Sequence, residues 1–81
     1  MITNFLKRPY RVSISFPDDE RIQEYEDTLV WRLGDGYDEL RIGAGRRAIA
    51  WYFATLEAAE EFADGAAEEL AGKDEFNINI P

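Results

Sequence analysis

Residues Tyr10 to Phe16 read YRVSISF and alternate without exception, with Tyr10, Val12, Ile14 and Phe16 on one side and Arg11, Ser13 and Ser15 on the other. Successive strand side chains point to opposite faces, so this period commits the segment to a sheet with one apolar face and one polar face. Such a sheet must lay its apolar side against a second layer. The rest of the chain supplies that layer. Pro17 breaks the strand, Asp18 or Asp19 is placed to cap a helix, and Ile22, Tyr25, Leu29 and Leu33 then recur on one face at about 100° per residue. Gly34 follows at the position where helices commonly end.

YDELRIG reads as a second strand with Leu40 and Ile42 inward, and Gly43-Ala44-Gly45 as a tight hairpin into RRAIAWYF, with Arg46 and Arg47 solubilising its tip. DGYDE, which precedes the strand core, lacks the spacing of a calcium loop and reads as a turn. Thr55 caps a second helix with an inner face of Ala59, Phe62, Ala66 and Leu70, where Gly65 is expected to allow a close approach to the sheet. FNINI closes the pattern as a strand with Phe76, Ile78 and Ile80 alternating. The order is β-α-β-β-α-β. It predicts an α+β fold of the ferredoxin-like type, a four-stranded antiparallel sheet with two helices on one face. Residues 1–8 read as a short arm and 9–81 as a single domain.

The 81 residues include neither Cys nor His. Disulfides, thiolate metal sites and every Ser-His or Cys-His mechanism are therefore excluded, and no motif for a metal or cofactor takes their place. An enzyme built on Tyr52, Arg11 or Arg41 has no motif behind it, so a non-catalytic protein is expected. No apolar run is long enough for a secretory signal or a membrane span, which leads us to expect a cytoplasmic protein. With 9 basic against 17 acidic residues the formal charge is -8, which opposes direct binding of nucleic acid or anionic membrane and favours a basic protein partner.

The acid is concentrated. TLEAAEEFADGAAEEL, from Thr55 to Leu70, contains no Lys or Arg. On a helix Glu57, Glu60, Glu61, Asp64 and Glu68 fall within a stripe about 100° wide, opposite the core positions. They span about 16 Å, an average axial spacing of about 4 Å, close to the ~3.4 Å per phosphate of one DNA strand. Glu20, Glu24 and Asp27 add acid beside the first helix. Trp31 falls nearly opposite that helix's apolar face, where it serves as an interface anchor unless Phe5 and Leu6 of the arm cover it. The bland alternative for the stripe is a solvated helix back.

In size, charge and design the chain resembles small acidic phage proteins of the anti-restriction and anti-CRISPR type, inhibitors that act as nucleic-acid mimics. That resemblance implies a protein-binding inhibitor, and the helical positions above make its expected contacts the nine residues Glu57, Glu60, Glu61, Asp64, Glu68, Glu20, Glu24, Asp27 and Trp31. A different reading comes from the open face of the sheet, expected to show Arg11, Ser13, Ser15, Arg41, Ala48, Ala50, Tyr52, Asn77 and Asn79. With one aromatic platform it is a poor match to RNA-binding sheets. A face of small residues suits a homodimer that holds a small molecule at its seam, as in ACT-type regulatory domains.

Overall fold

The computed structural model describes residues 9–34 and 36–80, together with every side chain among them except that of Arg41. The expected arm at 1–8 lies outside these residues. The elements are β1 (Tyr10–Pro17), α1 (Ile22–Leu33), β2 (Tyr37–Gly43), β3 (Arg46–Phe53), α2 (Leu56–Glu69) and β4 (Asn77–Asn79). The protein is α+β, with two helices and an antiparallel sheet. Among the described residues the strands lie in the order β2-β3-β1-β4.

The alternation in YRVSISF sets the layers. Val12, Ile14 and Phe16 are fully buried and meet both helices, because Ile14 and Phe16 share one core with Tyr25 and Leu29 of α1 and with Ala66 of α2. Phe16 sits 5.7 Å from the Tyr25 ring and 6.2 Å from Phe76, which lies 5.4 Å from Tyr25. A second aromatic group forms where Phe62 of α2 lies 5.2 Å from Trp51 and 5.0 Å from Phe53 of β3. Ala59, Ala63 and Ala66 bring α2 close to the sheet beside these rings. Phe62 is only half-buried, and Ala63, not read as part of the inner face, takes a core position.

The two helix starts differ. Thr55 caps α2 as its sequence indicates, its Oγ1 accepting from the Ala58 N–H at 3.1 Å. At α1 neither Asp18 nor Asp19 caps the helix. Asp19 Oδ1 accepts from the N–H of Arg21 at 2.8 Å, which makes a turn one step early, and the helix begins at Ile22 behind Arg21, whose side chain makes no capping bond. Local Asp bonding to the backbone two residues on competes with capping.

The largest departure from the sequence reading is in β2. Leu40 and Ile42 do not face the helices. β3 pairs Leu40 with Ala48 and Glu39 with Ile49, while Gly43 pairs with Arg46 across the Ala44-Gly45 turn, so one extra residue is inserted between Arg41 and Gly43. Gly43 takes a φ of 73° at this irregularity, and Ala44 and Gly45 follow at 53° and 72°. A plain two-residue hairpin would set Leu40 opposite Ile49, on the core side. The bulge shifts the register by one and turns the described β2 side chains over. Tyr37, 6.2 Å from Trp51, takes the inward place instead. On the last strand, β4 stops at Asn79 and Ile80 is 42% exposed, so it too is not a core residue.

Gly65 also differs from expectation. It is exposed, and a Cβ built on it meets nothing within 4 Å, so no close approach to the sheet explains it. Glycine in a helix interior costs about 0.5–1 kcal/mol relative to alanine. Gly65→Ala is accordingly expected to stabilise the fold by that amount, raising the thermal midpoint by a few degrees in a circular dichroism melt.

Candidate functional site

α2 presents its polar side away from the sheet because Ala59, Ala63 and Ala66 fix the opposite side against it. Glu57, Glu60, Glu61, Asp64 and Glu68 are all exposed. The first turn of α2 carries Glu57, and its last turn has no basic residue. Negative charge is favourable at a helix N-terminus and unfavourable at its C-terminus, so Glu68 and Glu69 sit where they oppose the helix dipole. Like charges three and four residues apart repel as well. The stripe therefore subtracts from helix stability.

α1 contributes a second set. Glu24 and Asp27 are exposed on the helix, and Glu20 is exposed in the turn before it. Gln23 Nε2 donates to Asp27 Oδ1 at 3.0 Å and holds that carboxylate in place. Trp31 is 77% exposed, and Phe5 and Leu6, its expected cover, lie outside the described residues. Its ring is nonetheless held: the Arg32 guanidinium lies 4.8 Å from the ring centroid and bonds Glu69 of α2 at 3.3 Å. Trp31, Asp27 and Thr28 then line one side of a groove of about 410 Å³, with Leu70 and Lys73 on the other. The groove thus joins Trp31 and Asp27 to the C-terminal end of α2.

Two arginines of β3 are structural. Arg46 and Arg47 do not simply solubilise the hairpin tip, since both are half-buried. Arg46 Nη2 donates to Ser15 Oγ and to the Glu75 carbonyl, each at 3.2 Å, tying β3 to β1 and to the segment before β4. Arg47 lies 4.0 Å from Glu26 and 3.6 Å from Glu39, between α1 and β2. The register reversal in β2 makes this cluster by placing Glu39, still half exposed, on the side of the sheet that carries α1. Burial raises the Glu26 pKa above its ordinary value, the Glu39 carboxylate raises it further, and Arg47 pulls it back only in part.

A raised folded pKa means that the folded state holds its proton to higher pH than the unfolded chain. The stabilising contribution is complete below the ordinary value of 4.5 and is lost as pH rises through the folded pKa. Glu26→Gln is expected to remove that loss. Its stability relative to wild type should improve as pH rises from about 4.5 toward 7, in paired denaturant titrations. A constant difference across the range would contradict the assignment.

Among the described residues no three acidic side chains gather to hold a metal ion, and no helix is long and apolar enough to cross a membrane. What the acidic side can do chemically is accept charge-assisted hydrogen bonds from Arg and Lys of a partner. No protein-family model, curated protein or solved structure matches the chain.

Proposed function

We propose that this chain is a small, non-catalytic protein-binding module that inhibits or regulates a nucleic-acid-handling protein by presenting carboxylates where that protein binds phosphate. The observation that carries the reading is the exposed stripe Glu57, Glu60, Glu61, Asp64 and Glu68, kept on one helix without a single neutralising cation and at a cost to that helix. Glu20, Glu24 and Asp27 extend the acidic surface along α1, and Trp31 supplies a large apolar anchor held in place by Arg32. Exposed tryptophans of this kind are enriched among residues that dominate binding energy. The scaffold in this reading is ferredoxin-like, with both helices on the core side of the sheet and the acidic surface on their outer side. The design parallels that of acidic phage inhibitors of restriction and CRISPR enzymes.

Association through exposed ion pairs is fast and weakens as salt screens them. The immobilised chain is therefore expected to retain a basic nucleic-acid-binding protein from a bacterial lysate at low salt and to release it in a discrete step of a salt gradient. Retention that is indifferent to salt, or retention of no such protein, would sink the proposal.

A further inference from the structure

The bulge that reverses β2 changes the open face of the sheet as well as the core. It adds Leu40 and Ile42 to a face otherwise made of small and polar side chains, and Ile42 is left 51% exposed. These two residues form one wall of a hollow of about 420 Å³, floored by Ser13, Ser15 and Ala48 and bordered by Arg11. An apolar ridge thus stands directly beside a recess floored by small side chains. We propose that the occupant of this face is a second copy of the chain, the ridge of each copy seated in the hollow of the other about a two-fold axis.

Self-complementarity of this kind is what an isologous dimer requires, since the same patch must be both ridge and recess. Charge favours the same choice. Copies of a chain with net charge -8 repel one another, and the acidic stripe lies on the helical side. The open face instead carries Arg11, with Arg46 bonded to Ser15 at its edge and Asp38 as the acid that the register places there. It is the side on which two copies repel least. Among the described residues β1 and β3 have eight residues each, β2 seven and β4 three, which at about 3.4 Å per residue and about 4.8 Å between strands gives about 420 Å² per copy. The total of about 850 Å² is the size of a weak, reversible dimer.

This dimer is independent of the acidic surface, and its salt dependence has the opposite sign. Screening weakens capture by the acidic stripe and strengthens association of two like-charged copies. The test is sedimentation equilibrium of the full chain at about 1 to 100 µM, across a salt series, beside the variants Ile42→Asp and Ser13→Arg. The first variant puts charge on the exposed ridge and the second fills the hollow. A dimer that tightens with salt, and whose dissociation constant rises at least about tenfold in each folded variant, is the expected result. Circular dichroism melts establish that the variants are folded, and Trp31→Ala serves as the control on the other side of the molecule. A wild-type monomer at the highest concentration overturns the proposal. So does a dimer that both folded variants leave intact, or one that Trp31→Ala dissociates instead.

Discussion

Replacing Glu60, Asp64 and Glu68 together by Lys is expected to lower affinity for the basic partner by about a hundredfold or more. Each replacement removes an attraction and installs a repulsion, worth together about 1–2 kcal/mol per site at a partly screened interface. Three such changes give at least about 3 kcal/mol, and about 1.4 kcal/mol is a factor of ten. The same variant should fold as well as wild type. All three positions are exposed, and none takes part in the contacts of Ala59, Ala63 or Ala66 with the sheet. The new lysines also face Glu57 and Glu61 at helical spacing, which offsets the repulsion among themselves. A melt within a few degrees of wild type, combined with lost binding measured by titration calorimetry, is the predicted pair of results. Binding within threefold of wild type would show that the stripe is only a solvated helix back.

Phe16→Ala is expected to be the most damaging single core substitution. Phe16 is fully buried, and its ring joins the end of β1 to Tyr25 of α1 and to Phe76 before β4. Removing a buried phenylalanine ring costs about 3–5 kcal/mol. A chain of this length has about 4–12 kcal/mol in total. The thermal midpoint should fall by roughly 15–30 °C, or the chain should be largely unfolded at room temperature. A loss below about 1 kcal/mol in a denaturant titration would mean that the three rings do not form the keystone between the layers.

What the sequence made legible follows from periodicity. Tyr10 to Phe16 has only one amphipathic reading, and the strand it implies is at the centre of the core. Thr55 and Gly34 marked helix ends because capping chemistry is local. In YDELRIG two phases compete, one inward through Tyr37 and Glu39 and the other through Leu40 and Ile42. Hydropathy favours the second. The choice was made by one bulge at Gly43, a backbone event that leaves no mark on the hydrophobic pattern. The same event hides the Glu26, Glu39 and Arg47 cluster from the sequence, because a strand with Leu40 inward places Glu39 on the opposite face. Within the candidate site, the stripe on α2 was legible because helical angles follow from numbering alone. The bridge from Trp31 through Arg32 to Glu69 was not. It depends on how two helices lie beside each other, which neither helix encodes by itself.

In the proposed function the acidic stripe occupies a partner's phosphate-binding surface. The most direct measurement is a side-by-side capture from one bacterial lysate on immobilised wild-type chain and on the Glu60→Lys, Asp64→Lys, Glu68→Lys variant, with the bound protein then challenged by duplex DNA or RNA. The expected result is a nucleic-acid-binding protein retained by the wild type alone and displaced by nucleic acid. The same proteins on both columns, or a wild-type partner that nucleic acid cannot displace, would contradict it.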